Sequence, residues 1–98
     1  MLRLTLARLL LREGRIEAAL EHAESAVRLD PEFTAAWKEL GQQRQLAGLA
    51  DAALAAWQHG VEVARSNGDK QAEKEMTVFL KRLLKAREAR HEPSAGSD

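Results

Sequence analysis

An all-α fold is predicted by three features of this sequence. Residues that favour helices, chiefly Ala, Leu, Glu, Arg, Lys and Gln, dominate the 98-residue chain, of which 45% is hydrophobic and 31% charged. The few β-branched residues never alternate with polar residues as a half-buried strand requires. Glycines and a proline interrupt the apolar pattern at nearly even intervals. Together these features predict a series of helices joined by short turns.

Four breaks divide the chain into five predicted helices. The breaks are Gly14, Asp30-Pro31, Gly48 and Asn67-Gly68-Asp69. A glycine just beyond a helix adopts the positive φ that ends the helix at little cost, and a proline cannot continue one. Between the breaks, apolar residues recur in steps of three and four, which is the helical spacing. The predicted helices cover residues 2–13, 16–29, 34–47, 51–66 and 69–90, and residues 92–98 are expected to form a disordered tail.

The size, charge and cysteine content of the chain exclude several classes of protein. Ninety-eight residues make one domain. Fifteen Lys and Arg residues balance fifteen Asp and Glu residues, so no bulk charge favours duplex nucleic acid or an anionic membrane. The absence of Cys excludes disulfides, thiolate metal sites and a cysteine nucleophile. No apolar stretch approaches the roughly 20 residues of a membrane span, so we expect a soluble cytoplasmic protein.

The sequence repeats itself at an offset of 34 residues. The aligned pairs are Leu6 and Leu40, Ala7 and Gly41, Gly14 and Gly48, Ala19 and Ala53, Leu20 and Leu54, Ala26 and Gly60, and Val27 and Val61. Small residues at facing positions let two antiparallel helices approach closely, and a glycine turn reverses the chain in few residues. The repeat therefore predicts two helix hairpins of the same construction.

Residues 34–67 resemble a tetratricopeptide repeat. The family pattern, which begins Trp-x-x-Leu-Gly and continues with small and aromatic positions, is met by Trp37, Leu40, Gly41, Ala53, Trp57 and Gly60. Residues 1–33 are a weaker copy, in which Arg3 and Leu10 replace the usual aromatic residues. Arg44 departs from the usual Tyr in the second copy. The resemblance implies a right-handed α-α superhelix with two helix hairpins.

The segment after Gly68 does not repeat a third time. Its apolar residues fall on one side of a helix, at Met76, Phe79, Leu80, Leu83 and Leu84. A stack of repeats leaves the apolar face of its last hairpin bare, and an amphipathic terminal helix covers that face. The resemblance thus implies a single domain over residues 1–91, with repeats over about 1–33 and 34–67 and a capping helix over about 69–91.

The resemblance also implies where a partner would bind. Members of the family hold a peptide or partner protein in a concave groove lined by the first helix of each hairpin, without catalysis. The groove positions carried over to this sequence are Leu4, Arg8, Leu11, Arg12, Lys38, Gln42, Gln45 and Met76. Arginine binds a carboxylate through two parallel hydrogen bonds and glutamine amides bond to a peptide backbone, so this lining suits an acidic or C-terminal peptide. The alternative is that the cationic residues are merely solvated.

The first predicted helix is unusually rich in leucine. In the family, part of the first helix of a hairpin rests on the hairpin before it, and Leu2, Leu6 and Leu9 fall at those positions. Two interpretations are open. The leucines pack inward on Leu20 and Ala23, or they contact a partner chain or a second copy in a homodimer, since apolar patches on small proteins mark association surfaces. The second interpretation predicts a mass that rises with concentration.

No catalytic or metal-binding constellation stands out in the sequence. His22, His59 and His91 are far apart in sequence, and none has a second His or a carboxylate at metal-site spacing that stands out. The glutamates that recur at helical spacing from Glu13 to Glu24 are expected to form a solvated face. The glycines stand alone at helix junctions and form no phosphate-binding loop. We therefore predict a protein that is not an enzyme, with no cofactor, metal or small-molecule substrate.

An alternative function is binding to nucleic acid or an anionic surface through the last helix. Its basic residues are Lys81, Arg82, Lys85, Arg87 and Arg90. Four glutamates on the same helix and the lack of an aromatic residue placed to stack on bases oppose this alternative. Binding to phosphates would fall steeply with added salt, whereas peptide docking in a partly apolar groove would respond less.

Overall fold

Four α-helices in series make up the fold. The computed structural model describes the backbone of residues 2–96 and the side chains of residues 12–89. The helices are α1 (Leu2–Leu29), α2 (Thr34–Leu46), α3 (Ala50–Asn67) and α4 (Lys70–Gly96). Residues 2–96 contain no strand, and the predicted all-α class is confirmed.

The helix break predicted at Gly14 is wrong. Helix α1 runs through this residue, and within the described backbone only Gly48 and Gly68 have positive φ, at 80° and 72°. Glycine permits a turn but does not impose one, and the residues on both sides of Gly14 are good helix formers. The segments 2–13 and 16–29 therefore form one helix of 28 residues in place of the first hairpin.

The three later breaks are confirmed. At Gly48 and at Gly68 the chain leaves the preceding helix in the left-handed conformation that glycine adopts easily. The amide of Leu49 then donates to the carbonyl of Arg44 at 2.8 Å, and the amide of Asp69 donates to the carbonyl of Ala64 at 2.8 Å. These bonds satisfy carbonyl groups that the ends of α2 and α3 would otherwise leave unpaired.

The last helix is longer than the sequence predicts. Helix α4 continues through residues 92–96, which were expected to belong to a disordered tail. Strong helix formers occupy residues 84–90, and Pro93 removes one amide donor without ending the helix. Residues 97 and 98 lie outside the described residues.

Two clusters of buried side chains hold consecutive helices together. The cluster between α1, α2 and α3 contains Ala23, Val27, Ala36, Leu40 and Ala56. The cluster between α3 and α4 contains Ala53, Leu54, Trp57, Val61, Ala64, Met76 and Leu83. Among the side chains of residues 12–89, the largest that are fully buried are Trp57, Leu40 and Met76. Each helix thus packs on the next one along the chain, and α4 covers the outer face of α3 as a cap would.

Two glycines set the distance between packed helices. A Cβ atom at Gly41 would overlap the indole of Trp57, and one at Gly60 would overlap Met76 and the Cβ atom of Trp37. Both glycines lie inside helices, where they cost about 1 kcal/mol relative to alanine. Close packing of α2 on α3, which the 34-residue repeat predicts, therefore depends on these positions, and so does the packing of α4 on α3.

Arg44 links three helices from the position where the family usually has Tyr. Its guanidinium donates to the carbonyl of Ala52 at 3.0 Å and lies 3.9 Å from the carboxylate of Glu24. The side chain is half-buried, so the hydrogen bond to the backbone fixes its direction. Arg44 in place of the usual Tyr is therefore compatible with the packing of α2 between α1 and α3.

Helix α1 extends well beyond the helix that packs on it. At 1.5 Å per residue, the 28 residues of α1 span about 42 Å and the 13 residues of α2 span about 20 Å. Four residues of α1 between Glu13 and Leu20 line one cleft with Leu46, the last residue of α2, and two residues of the turn after it, so α2 ends beside the middle of α1. The radius of gyration is 16.2 Å, against about 12–13 Å for a compact chain of this length. Residues 2–12 therefore form an overhang.

Replacement of Gly14 by alanine is expected to stabilise the protein by roughly 0.5–1 kcal/mol, because Gly14 lies in a helix interior and a Cβ atom there meets nothing within 4 Å. Urea unfolding followed by far-ultraviolet circular dichroism measures the change. A loss of stability would contradict an unbroken α1 in solution, because alanine penalises the left-handed turn that a hairpin at Gly14 needs.

Candidate protein-binding groove

A concave surface lies between α2 and α4, and we call it the α2–α4 groove. At one end, a cleft of about 230 Å³ is lined by Gln42 and Gln45 from α2, Phe79 and Arg82 from α4, and Trp57 from α3 beneath them. The two glutamines are exposed, and so is Arg82. This end of the groove combines an aromatic floor with amide and guanidinium groups at its rim.

A second cleft of about 250 Å³ continues the groove toward the start of α4. Its lining residues are Ala35, Lys38, Asp69, Gln71, Ala72 and Glu75. The ammonium of Lys38 donates to the carboxylate of Glu75 at 3.1 Å, which joins the two walls. Lys38 precedes Gln42 by one helical turn, and Glu75 precedes Phe79 by one turn, so the two clefts follow the same pair of helices.

Trp57 fixes the floor of the groove. Its indole N–H donates to the carbonyl of Lys38 at 3.2 Å, and its ring lies 5.3 Å from that of Phe79, tilted by 45°. Tilted aromatic pairs at such distances are favourable beyond the area that they bury. The ring of Phe79 and the wall provided by α2 are therefore held in place by one buried side chain.

The structure brings together three of the residues predicted to line the groove. Lys38, Gln42 and Gln45 all lie along α2 and line the two clefts. Arg12 is exposed on α1 and lines neither of these clefts. The side chains of Leu4, Arg8 and Leu11 lie outside the described residues, as do those of Leu2, Leu6 and Leu9.

The prediction that Met76 lines the groove is wrong. Its side chain is fully buried, and it packs where a Cβ atom of Gly60 would otherwise stand. The groove residues of α4 are instead Glu75, Phe79 and Arg82. The repeat pattern could not find them, because it ends before α4. The sequence offered one indication of these residues, which is their spacing around Met76. Side chains that flank a buried position on a helix lie at the edge of the packed face.

A third cleft lies at the C-terminal end of α2, on the side that faces α1, and we call it the α1–α2 notch. It has a volume of about 450 Å³ and is lined by Glu13, Ile16, Glu17, Leu20, Leu46, Ala47 and Leu49. Ile16 and Leu20 are half-buried in it, Leu46 and Leu49 are exposed, and two glutamates complete the lining. The notch lies beside the point at which residues 2–12 begin their overhang.

The basic residues of α4 do not form one uniform patch. Lys81, Arg82 and Lys85 are exposed, whereas Arg87 binds the carboxylate of Asp51 at 2.8 Å. The side chain of Arg90 lies outside the described residues. The exposed Glu88 lies on the same helix and reduces the local positive charge.

Neither metal-ion coordination nor membrane insertion is indicated over the described part of the chain. No group of three His, Asp or Glu side chains is close enough there to hold a metal ion. His59 stacks against Trp37 with 4.1 Å between ring centroids. None of the helices described is both long and apolar enough to span a membrane.

Known proteins resemble this chain in both sequence and fold. Residues 1–42 match the family model for the tetratricopeptide repeat. TPR repeat-containing protein PA0015 of Pseudomonas aeruginosa is 48% identical over 87 residues, which cover 89% of this chain and 83% of that protein. The solution structure of protein BPP2914 from Bordetella parapertussis matches with a TM-score of 0.73 and 38% identity, over 93% of this chain and 79% of that one. The chain therefore belongs to the tetratricopeptide repeat family.

Proposed function

We propose that this chain is a scaffold that binds a segment of a partner protein in the α2–α4 groove. The observation that carries the proposal is the cleft in which two glutamines and an arginine surround the Trp57–Phe79 pair. Sites for extended ligands typically combine an apolar floor with a few polar groups that fix orientation. Family membership supports the broader role, because tetratricopeptide repeats generally act in protein–protein interaction. This role needs no cofactor or catalytic residue, and a cytoplasmic location stays a prediction.

The chemistry of the groove favours a segment with a carboxylate. The exposed guanidinium of Arg82 can bind a carboxylate through two hydrogen bonds, and the amides of Gln42 and Gln45 can bond to a peptide backbone. Lys38 was predicted to share in anion binding, but its ammonium already pairs with Glu75. Arg82 is therefore the residue that we assign to an acidic side chain or a C-terminal carboxylate.

Reversal of the charge at Arg82 is expected to weaken the binding of acidic peptides at least about tenfold, since hydrogen bonds to charged groups contribute roughly 1.5–3 kcal/mol. The probe is a panel of short labelled peptides, rich in Asp and Glu, each made with a carboxylate or an amide at its C-terminus. Fluorescence anisotropy measures the affinity of the unmodified chain and of Arg82→Glu for each peptide.

Lys81→Glu is the matched control, because it makes the same change of charge at an exposed neighbour outside both clefts. The affinity of Lys81→Glu for the acidic peptides should stay within about threefold of that of the unmodified chain, since screening makes the contribution of surface charges outside the clefts small. Equal losses for the two variants would mean that only bulk charge attracts the peptide, and the groove assignment would fail. A panel that shows no binding to the unmodified chain would overturn the preference for carboxylates.

Nothing in the geometry favours the nucleic-acid alternative over a protein partner. Arg87 is engaged with Asp51, and Phe79 packs on the buried Trp57. A base needs an accessible aromatic face on which to stack. Affinity for a polyanion that persists at high salt would be required to reverse this preference.

A further inference from the structure

The two walls of the α2–α4 groove match each other along their length. Four lining residues on each wall follow the same spacing, at positions 35, 38, 42 and 45 of α2 and at positions 72, 75, 79 and 82 of α4. Steps of three and four keep these residues on one side of each helix. Since Lys38 contacts Glu75, the two sets align in order and define four levels of the groove, from residues 35 and 72 to residues 45 and 82.

An ion pair closes the second of these levels. The ammonium of Lys38 lies 3.1 Å from the carboxylate of Glu75, and the two side chains are 32% and 39% exposed. The third level sets Gln42 beside Phe79, and both residues line the cleft that Arg82 also lines. The ion pair therefore stands between the two clefts, where a segment that follows the whole groove has to pass it. A half-exposed ion pair contributes little to stability, so such a segment can displace it.

The cations Lys38 and Arg82 stand on opposite walls of the groove, two levels apart. Arg82 follows Glu75, the partner of Lys38, by seven residues, which is about 10 Å along α4. An extended chain advances about 3.3 Å per residue, so three residues cover this distance. Successive side chains of an extended chain alternate in direction, so residues three positions apart point to opposite walls. Two acidic residues with this spacing would thus each meet one cation.

We propose, on the basis of the binding role given to Arg82 above, that the partner segment is extended and carries two acidic residues three positions apart. Arg82 binds one carboxylate, and Lys38 binds the other. The carboxylate of Glu75 holds the place of the second one, and the segment displaces it on binding. The Lys38–Glu75 ion pair is therefore an autoinhibitory contact within the groove.

The exchange of partners at Lys38 limits the affinity of the groove. A ligand carboxylate that displaces Glu75 replaces one ion pair by another, and it leaves the Glu75 carboxylate beside a group of the same charge. Like charges at such short range repel each other, so the second acidic residue adds little affinity while Glu75 is present. Removal of the charge at Glu75 should release this limit for a ligand that has an acidic residue to offer to Lys38.

Three labelled peptides of equal length test the proposal by fluorescence anisotropy. Each has an amide at its C-terminus, and they carry one glutamate, two adjacent glutamates or two glutamates three positions apart. Glu75→Gln is expected to raise the affinity for the third peptide about three- to fivefold, the upper range of what a half-exposed ion pair contributes. Its affinity for the other two peptides should change no more than in the control variant, because adjacent glutamates do not span the distance from Lys38 to Arg82.

Glu73→Gln is the matched control, because it makes the same change of charge on the same helix. Glu73 pairs with Arg65 at 3.1 Å and lines neither cleft of the groove. The double variant Lys38→Met with Glu75→Gln is a second control, and it should lose the gain because the ammonium is absent. Equal gains from Glu75→Gln and Glu73→Gln, or equal gains for all three peptides, would overturn the proposal in favour of an effect of bulk charge.

The peptide with one glutamate separates a failure of this proposal from a failure of the role of Arg82. If that peptide binds the unmodified chain and loses affinity in Arg82→Glu, while Glu75→Gln brings no gain for any peptide, the autoinhibitory contact is refuted and the groove assignment stands. A loss of affinity in Glu75→Gln would refute the contact as well, since the ion pair would then be a brace that holds the groove in its binding shape. Absence of binding by all three peptides would overturn both proposals.

Discussion

Truncation of Trp57 to alanine is expected to lower the free energy of unfolding by roughly 3–5 kcal/mol, the range typical of a buried Trp or Phe. The side chain is only 1% exposed, and it meets helices on both sides of α3. It donates a hydrogen bond to the carbonyl of Lys38 on α2 and packs on Phe79 of α4. Its removal leaves a cavity at a point where these three helices meet.

Urea unfolding followed by circular dichroism measures this loss, with Leu84→Ala as the control. Leu84 is 43% exposed on α4, so its truncation should change stability by no more than about 0.5–1 kcal/mol. Small domains have about 5–15 kcal/mol of stability in total, so Trp57→Ala should bring the transition close to the start of the urea range. A loss below about 1 kcal/mol would contradict the central position of Trp57.

The hairpin of α2 and α3 could be predicted from the sequence because local and long-range signals agree there. Gly48 supplies the turn, Gly41 leaves room for the indole of Trp57, and the large ring fills the space between the helices. Each residue type is required by the same geometry, so the pattern leaves little choice of fold.

The unbroken helix α1 could not be predicted, because Gly14 and its neighbours do not show whether the chain turns there or continues as a helix. Gly14 aligns with Gly48, yet Gly14 is helical and Gly48 has φ of 80°. The difference lies in the packing partner, since Ala23 occupies the position that Trp57 holds in the second copy. An alanine offers no ring on which a first helix could pack, so helix propensity prevails at Gly14.

The candidate groove could be predicted only in part, for a related reason. Gln42 and Gln45 could be predicted as groove residues because α2 is part of the repeat, in which their positions face the groove. Both side chains are exposed in the structure. Phe79 and Arg82 lie on α4, where no repeat exists to assign them a role. The rotation of α4 is set by how Met76 packs on Gly60, and that contact joins residues too far apart in sequence for periodicity to reveal it.

Alanine at Gly41 is expected to destabilise the protein by roughly 1–3 kcal/mol, the usual cost of overpacking a core. A methyl group there would overlap the indole of Trp57, which is buried and is held by its hydrogen bond to the carbonyl of Lys38 and by its contact with Phe79. The overlap outweighs the gain of about 0.5–1 kcal/mol that alanine brings to a helix interior. Urea unfolding should therefore give Gly41→Ala and Gly14→Ala opposite signs, although both make the same change within a helix.

A double-mutant cycle tests whether the overlap with the indole is the cause. In a background that carries Trp57→Leu, the smaller side chain leaves room for the added methyl group, so Gly41→Ala should cost about 1 kcal/mol less than in the unmodified chain. The two changes would then be coupled, as residues in contact are. An equal cost in both backgrounds would show that Gly41 is required for some reason other than the approach of α2 to α3. The contact between Gly41 and Trp57 would then not explain how the floor of the groove is held in place.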